Sequence, residues 1–314
     1  MSPPLPLEPS PARYPSVFMR YLAATRPAFL SVTLVACVLG LATAYRTGLA
    51  LDAVTALVTV LFALLAHAGV NVINDYHDGL SGADALNTER LFPFTGGSRF
   101  IQNGVLTLRQ TARFGYGLLA LVIAAGLWLS WHTGPGLLAI GAGGLLAGWA
   151  YSAPPLRLMS RGLGELAIAA GWLLVVVGSD YVQRGSFDAL PFIAGLSYAL
   201  LVANLLFINQ FPDHAGDAAA GKRTLVVLLG PQTAKWAYLL IAIVAYGWLL
   251  GMVGKDTLPQ KSAAAAMTLV LSFTAARDLL EYASQPAALE PAIKRTILAA
   301  NLHGMVLAGA LMFG

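Results

Sequence analysis

Nine long apolar segments, joined by shorter polar connections, constrain the fold of this chain more than any other feature. Each is long enough, or nearly long enough, to cross a hydrocarbon core of about 30 Å, which takes about 20 helical residues. Glycine and alanine are common within the segments, and small residues let membrane helices approach one another closely. We therefore predict an all-α fold, a polytopic membrane helical bundle of nine transmembrane helices. The predicted spans are residues 27–45, 52–74, 112–131, 136–152, 163–181, 190–211, 234–253, 261–280 and 292–313.

The composition excludes an ordinary soluble domain. Hydrophobic residues make up 57% of the 314 positions and charged residues only 11%, with a mean hydropathy of +0.70. Soluble domains rarely show this balance. The single cysteine, Cys37, lies in the first predicted span, so a disulfide framework and a thiolate metal site are both excluded. We expect Cys37 to act as a small buried apolar side chain.

The lysines and arginines predict the orientation of the bundle. Fifteen of the 19 lie on the side of the N-terminus and four on the other side, which by the positive-inside rule places the N-terminus in the cytoplasm. We accordingly predict a multi-pass protein of the cell's inner (cytoplasmic) membrane, embedded in membrane lipid, with its C-terminus outside. The net charge of +4 and the pI near 9.2 express this topology and need no nucleic-acid partner.

Two parts make up the chain in this interpretation. Residues 1–25 are rich in proline and lack the short apolar core and the cleavage site of a secretory signal. We predict that they form a disordered cytoplasmic N-terminal leader. Residues 26–314 form the nine-helix transmembrane domain. The sequence carries no mark of the oligomeric state.

Two acidic clusters stand out in a chain with only 15 aspartates and glutamates. They are NVINDYHDGLSGAD (71–84) and NQFPDHAGD (209–217), and each follows a predicted span on the cytoplasmic side. On a helix, spacings of i, i+4 and i+7 or i+8 bring an asparagine and two aspartates of each cluster to one face. These sets are Asn71, Asp75 and Asp78 in the first cluster and Asn209, Asp213 and Asp217 in the second, with Asp84 after the first set. Pro212 is expected to bend the second helix.

The residue types in the clusters indicate a metal. Clustered acids at membrane depth are costly and usually functional. Hard cations such as Mg²⁺ take oxygen ligands and bridge carboxylates to phosphates, so carboxylates without a cysteine or histidine cage favour magnesium over zinc. His77 and His214 each lie beside an aspartate, where a lone histidine is more often a surface or supporting residue than a ligand. We therefore predict a magnesium site that holds a polyphosphate at the cytoplasmic face.

Four motifs, in order along the chain, resemble the UbiA superfamily of intramembrane aromatic prenyltransferases. They are NDYHDGLSGAD, GGSRFIQNGVLT (96–107), YSAPPLRLMSRGLGE (151–165) and DHAGDAAAGKRTL (213–225). The likeness covers nearly the whole chain, and the family is itself a nine-helix membrane bundle. The motifs are most similar to the branch that prenylates 1,4-dihydroxy-2-naphthoate in menaquinone biosynthesis. The resemblance therefore implies Mg²⁺-dependent transfer of a polyprenyl group from a polyprenyl diphosphate to a small aromatic acceptor, with the polyprenyl tail between helices.

The resemblance also implies roles for individual residues. The expected metal ligands are Asn71, Asp75, Asp78, Asp84, Asn209, Asp213 and Asp217, of which Asp75, Asp78 and Asp213 are the catalytic candidates. The expected diphosphate-binding residues are Tyr151, Arg157, Arg161, Lys222 and Arg223. Apart from the resemblance, Ser98 and Arg99 are the expected acceptor-binding residues, because they follow the glycine pair Gly96 and Gly97. Either Asp75 or Asp78 could steady the allyl cation or accept a proton. The family's Tyr-x-x-x-Lys spacing is absent after Tyr151, where the next basic residue is Arg157.

Several alternatives stay open at this point. Gly96 and Gly97 could form a backbone nest for an anionic group of the acceptor or a plain flexible turn. Glu165 could be a helix-start acid favoured by the dipole or an acceptor contact. The acceptor could instead be 4-hydroxybenzoate, or a tocopherol or haem precursor. A secondary transporter is the alternative from another class, although carriers more often place isolated ionisable residues at the bilayer midplane.

Overall fold

Helices account for every regular element in the computed structural model, which describes residues 8–314. The α-helices are α1 Val17–Ala24, α2 Ser31–Arg46, α3 Ala53–Ser81, α4 Ala83–Leu86, α5 Leu108–Thr133, α6 Gly136–Ser152, α7 Gly164–Arg184, α8 Leu190–Ala219, α9 Leu225–Leu229, α10 Pro231–Gly254, α11 Leu269–Tyr282 and α12 Glu290–Phe313. Short 3₁₀ segments cover Pro27–Leu30, Leu158–Arg161, Gln260–Thr268 and Pro286–Ala288. The predicted all-α class is confirmed.

Eight helical segments of the described chain are long and apolar enough to cross a membrane. Each coincides with a predicted span, and together they make this a multi-pass membrane protein. The remaining predicted span, 136–152, is α6, which is apolar but only 17 residues long. That length is about 26 Å at 1.5 Å per residue. By length and composition the bundle therefore has eight full spans, and α6 is a shorter helix packed among them.

Helix length decides where the acidic clusters lie. Asp52 starts α3 by accepting a hydrogen bond from the backbone N–H of Thr55 at 2.8 Å, the usual role of an N-cap aspartate. Helices α3 and α8 then run for 29 and 30 residues, or about 45 Å. Because the hydrocarbon core is only about 30 Å thick, each helix extends several turns beyond it. The acidic clusters occupy the last turns of both helices, which we call the acidic end.

The main core lies where α2, α7, α8, α10 and α12 meet. Its central side chains, including Leu39, Tyr198 and Leu307, are fully buried. Helices α2 and α7 cross so closely that a Cβ atom at Gly40 would lie 2.2 Å from the backbone oxygen of Val176. Only a residue without a side chain allows that approach, which is the packing expected of membrane helices rich in small residues.

Proline in α8 does not interrupt the helix. Although Pro212 lies inside it, α8 continues to Ala219. Asp213 and Asp217 therefore remain one turn apart on the same helix, as their spacing predicts.

Part of the predicted leader is folded, which differs from the expected disorder. Residues 1–7 lie outside the described range, but α1 forms within residues 8–25. Tyr14 and Tyr21 pack against a small cluster that includes Phe100 and Val105. Burying these aromatic rings offsets the conformational entropy that ordering the segment costs.

Candidate active site

The two acidic clusters meet in one polar cavity at the acidic end of the bundle. The cavity has a volume of about 130 Å³ and lies between α3, α8 and the segments that follow them. Its polar lining residues are Arg26, His67, Asn71, Asn74, Asp78, Asp84, Asn87, Thr95, Tyr151, Trp172, Asn209, Gln210, Asp213, Asp217 and Lys222. Residues more than 120 positions apart in the sequence thus face the same space. Among the predicted metal ligands, Asp75 alone is not part of the lining.

Lys222 joins the two clusters directly. Its ammonium group lies 3.0 Å from Asp78 Oδ1 and 3.2 Å from Asp217 Oδ1, with all three side chains about nine-tenths buried. Burial by itself would lower the pKa of Lys222, but the carboxylates of Asp78 and Asp217 outweigh it and hold the pKa above its ordinary value. Lys222 is therefore a fixed positive charge in the cavity.

Asp84 shows that the cavity still has an excess of negative charge. Burial and the neighbouring charges of Asp78 and Asp75 raise the pKa of Asp84 to about 9. Its carboxylate accepts a hydrogen bond from Gln102 Nε2 at 3.2 Å, which does not cancel the repulsion. A cation in the cavity would relieve this repulsion, because an opposite charge favours the ionised carboxylate.

The loop of residues 96–99, which we call the GGSR loop, donates backbone hydrogen bonds to the carboxylates. The N–H of Gly96 lies 3.3 Å from Asp213 Oδ2, and that of Ser98 lies 3.2 Å from Asp75 Oδ1. A Cβ atom at Gly97 would lie 2.4 Å from Asp84 Oδ2, and Gly97 has a φ of 71°. The loop thus packs backbone against three acids, so its glycines do more than form a flexible turn.

Amide side chains contribute the remaining polar contacts to the carboxylates of the cavity. Asn87 donates to Asp213 Oδ1 at 2.5 Å, and Asn74 donates to Asp78 Oδ2 at 3.3 Å. The buried Oδ1 atoms of Asn87 and Asn209 have no hydrogen-bond partner among the described residues. Buried acceptors of this kind are costly unless a ligand or ion satisfies them.

The donor set fits Mg²⁺ in a particular way. No three His, Cys, Asp or Glu side chains within residues 8–314 converge closely enough to cage a metal by themselves. Magnesium usually keeps several waters and is held by one or two carboxylates together with substrate phosphates. Pairs of carboxylates with two unsatisfied amide oxygens, in a cavity with excess negative charge, match that mode of binding. His77 and His214 do not line the cavity, in agreement with the supporting role expected of them.

Only part of the predicted diphosphate set faces the cavity. Tyr151 and Lys222 line it, whereas Arg157, Arg161 and Arg223 are exposed outside it. The turn after α8 explains why Lys222 faces the cavity and the adjacent Arg223 does not. Gly221 has a φ of 73° and the N–H of Lys222 bonds to the backbone oxygen of Asp217 at 2.8 Å. Lys222 is thereby folded back over the helix end, and the next side chain faces outward.

The predicted acceptor residues also lie outside the cavity wall. Ser98 and Arg99 are buried, and neither is among the lining residues. Arg99 Nη1 donates to the backbone oxygen of Asp84. Its guanidinium therefore supports the acidic cluster from behind, and the structure does not place it where an acceptor in the cavity would touch it.

Sequence reasoning missed several residues of the wall. Arg26 lines the cavity and donates to the backbone oxygen of Phe94 at 3.0 Å, although it belongs to neither acidic cluster and to none of the four motifs. Gln210 also lines the cavity and hydrogen bonds with the buried Glu165. Glu165 does lie in the first turn of α7, as the helix-start interpretation expects. The hydrogen bond from the Gln210 amide satisfies the buried carboxyl group of Glu165.

A second, apolar cavity adjoins the polar one. It has a volume of about 430 Å³ and lies between α3, α5, α6 and α7. The two cavities share a boundary formed by His67, Val70, Tyr151, Ile168 and Trp172. A chamber with charged groups at one end and aliphatic walls beyond it can hold an amphiphile that has an anionic head and a long hydrocarbon tail.

Comparisons of sequence agree with this geometry. The sequence model of the UbiA prenyltransferase family matches residues 32–290. A 1,4-dihydroxy-2-naphthoate octaprenyltransferase of Mycobacterium tuberculosis is 29% identical over 266 residues, which cover 82% of this chain and 85% of that protein. The protein of the same name from Escherichia coli is 30% identical over 223 residues, or 68% of this chain and 70% of its own length.

Solved structures share the fold. The apo structure of a UbiA homolog from Aeropyrum pernix K1 has a TM-score of 0.65 at 17% identity and covers 88% of this chain and 96% of its own. A UbiA homolog from Archaeoglobus fulgidus bound to GPP and Mg²⁺ has a TM-score of 0.56 at 16% identity, covering 92% and 99%. The resemblance seen in the four motifs is confirmed. Because the family match extends over most of its length, the chain belongs to the UbiA prenyltransferase family and is a prenyltransferase enzyme.

Proposed function

We propose that this enzyme transfers a polyprenyl group from a polyprenyl diphosphate to 1,4-dihydroxy-2-naphthoate, with Mg²⁺ as cofactor, in menaquinone biosynthesis. The observation that carries the proposal is the meeting of both acidic clusters in one cavity that opens onto a long apolar chamber. The acceptor is supported by the names of the relatives from M. tuberculosis and E. coli. The excess of lysine and arginine on one side supports a site at the cytoplasmic face of the inner membrane.

The donor would bind with its head in the polar cavity and its tail in the apolar one. We propose that Mg²⁺ is held by carboxylates of both clusters together with the unsatisfied oxygens of Asn87 and Asn209. When bound, Mg²⁺ neutralises negative charge that develops on the diphosphate. The residues that would supply the carboxylates are Asp78, Asp84, Asp213 and Asp217, with Asp75 held beneath the GGSR loop.

Two basic side chains of the chain would stabilise the leaving group. As the allylic carbon–oxygen bond breaks, its electron pair goes to the diphosphate oxygen, and negative charge grows on that group. Lys222, which is fixed between carboxylates, and Arg26 both line the cavity in which this charge develops. Preorganised positive groups in a buried site stabilise such a transition state.

The second half of the reaction needs a dry site and an outlet for a proton or carbon dioxide. An electron-rich ring carbon of the acceptor attacks the allylic carbon, and the ring then loses a proton or, at a carboxylated position, carbon dioxide. Aliphatic walls such as Val70 and Ile168 keep water from the allyl cation at the cavity boundary. Of the two aspartates predicted to accept a proton, we propose Asp78, because it lines the cavity and Asp75 does not.

Product analysis tests this proposal. The purified enzyme in detergent is incubated with Mg²⁺, geranyl diphosphate or a longer homologue, and either dihydroxynaphthoate or 4-hydroxybenzoate, and products are identified by mass. We expect prenylated product from dihydroxynaphthoate, loss of that product with EDTA, and recovery with added Mg²⁺. Product from 4-hydroxybenzoate alone would overturn the acceptor, and turnover that withstands EDTA would overturn the metal. A transporter would give no product with either acceptor.

Replacing Lys222 tests the clamp on the leaving group. We expect Lys222→Gln to lower kcat/KM for the donor about 10-fold, since charged hydrogen bonds in buried sites commonly contribute that much. Steady-state kinetics with varied donor measures the effect. Arg223→Gln is the matched control, because it removes the same charge one residue later from a side chain exposed outside the cavity. Equal losses in both variants would contradict the assignment of Lys222.

A further inference from the structure

The N-terminal segment of residues 8–26, which we call the strap, crosses the outside of the GGSR loop. Its first contact is Glu8, whose Oε1 accepts a hydrogen bond from Arg90 Nε at 2.7 Å and lies 2.5 Å from Arg90 Nη2 in the same ion pair. Oε2 of the same carboxylate accepts from Asn103 Nδ2 at 3.2 Å and lies 3.8 Å from Arg99 Nε. One carboxylate therefore ties together residues on both sides of the loop.

The strap is attached at further points along its length. Asn103 Nδ2 also donates to the backbone oxygen of Pro9 at 2.9 Å. The ring of Tyr14 packs on that of Phe100 with 5.1 Å between centroids. At the far end, Asn71 of α3 donates to the backbone oxygen of Thr25 at 3.1 Å. These contacts follow the whole length of the strap, so it covers the loop as a continuous element.

Arg90 connects Glu8 to the acidic cluster. Its Nη1 donates to the backbone oxygen of Asn87 at 2.6 Å, and the side chain of Asn87 donates to Asp213. The aliphatic part of Arg90 also packs under Gly96, where an added Cβ would lie 2.7 Å from it. The N–H of Gly96 also donates to Asp213, as does the side chain of Thr95. Two of these three hydrogen bonds to the aspartate therefore depend on where Arg90 lies.

Charge gives Glu8 a second effect. Arg90 and Arg99 are basic residues close to carboxylates with an excess of negative charge, and without a partner they would be drawn toward that cluster. Burial works to raise the pKa of Glu8, but the hydrogen bonds from Asn103 and Arg90 and the charges of Arg90 and Arg99 hold it below its ordinary value. The glutamate is therefore ionised: it accepts a hydrogen bond from Arg90 and lies within ion-pair distance of Arg99 on the outer side of the loop.

We propose that Glu8 is a positioning residue for the reaction: it holds Arg90 and Arg99 so that the GGSR loop presents its backbone amides to Asp75 and Asp213. The inference rests on the proposed function only in requiring that Asp213 and the other carboxylates of the cavity bind the metal and the diphosphate. It assigns a catalytic contribution to a segment that lies ahead of the first span. The expected consequence is weaker binding of Mg²⁺ and donor when the strap is released, with the chemical step itself nearly unchanged.

Kinetics of Glu8→Gln test the proposal against a matched control. We expect the KM values for Mg²⁺ and donor to rise about 5-fold, with kcat within about 2-fold, as suits a part-buried ion pair that acts on binding. Glu89→Gln makes the same change on an exposed side chain next to Arg90 and is expected to behave like the wild type. Glu8→Asp, which keeps the carboxylate, should retain at least half of the affinity that Glu8→Gln loses. An unchanged KM in Glu8→Gln would overturn the proposal, as would a loss of kcat that accompanies a lower melting temperature.

Limited proteolysis supplies a readout that does not depend on turnover. Trypsin cuts after arginine, and Arg90 and Arg99 are both engaged by Glu8. We expect cleavage after these residues to be several-fold faster in Glu8→Gln than in Glu89→Gln, without any substrate present. Equal cleavage rates would count against the strap even if the enzyme proved to use another acceptor. Failure of the wild-type enzyme to make a product would instead count against the proposed function alone.

Discussion

Asp213→Asn is expected to lower kcat/KM by about 100-fold or more while the protein still inserts into the membrane and folds. The substitution keeps the size of the side chain, so the hydrogen bond to Gly96 and the close approach of Asn87 can be retained. It removes a negative charge from the cavity shared by both clusters. Loss of a group that organises charge at the reacting centre typically costs 10²–10³ in rate, roughly. Product formation at saturating donor and at several Mg²⁺ concentrations measures the effect.

A control for Asp213→Asn is available at the opposite end of the bundle. Asp188 is an exposed aspartate that pairs with Arg184 at 3.7 Å, and it lies just before the start of α8, whereas Asp213 lies near the end of that helix. Asp188→Asn makes the same chemical change and should leave turnover within about 2-fold, since exposed ion pairs contribute little. Size-exclusion profiles in detergent should match for both variants. Turnover by Asp213→Asn near the wild-type rate would defeat the metal and diphosphate assignment of the second cluster.

The parts of the fold that were predictable from sequence are those that depend on local composition. Lipid requires a continuous apolar stretch of defined length, so hydropathy alone located the eight long membrane helices and the shorter α6, but not the short helices α1, α4 and α9. The spacing of Asp213 and Asp217 likewise predicted that they share a helix face, and α8 continues through Pro212 to keep it so. Helical periodicity depends only on residues close together in the sequence, so it predicts which side chains share a helix face without knowledge of the tertiary structure.

The parts that were not predictable depend on turns and on long-range contacts. Whether Lys222 or Arg223 faces the cavity is decided by the left-handed conformation at Gly221, which composition does not reveal. Asn87 reaches Asp213 across 126 positions of sequence and belongs to no periodic motif. Likewise, the leader looked disordered by its proline content, yet its aromatic side chains pack on a loop about 80 residues further along the chain.

Gly141→Phe is expected to restrict the enzyme to donors with short prenyl tails. Gly141 lines the apolar cavity, and a Cβ added there would meet nothing within 4 Å. It lies ten residues before Tyr151 on α6, which is about 15 Å along the helix from the boundary with the polar cavity. A phenyl ring would therefore fill the far part of the chamber without disturbing the head-group site. We expect geranyl diphosphate to be used at nearly the wild-type rate.

Long donors should suffer most, because their tails must pass the level of Gly141. Steric exclusion in an apolar pocket commonly changes specificity by about 10- to 100-fold, so the ratio of kcat/KM for a long donor to that for geranyl diphosphate should fall by such a factor. Competition between the two donors, read by product mass, measures this ratio directly. Gly247→Phe is the matched control, because Gly247 is an exposed glycine of α10 with equal open space and no part in the cavity. An unchanged ratio in Gly141→Phe, or the same fall in Gly247→Phe, would show that the tail does not occupy this chamber.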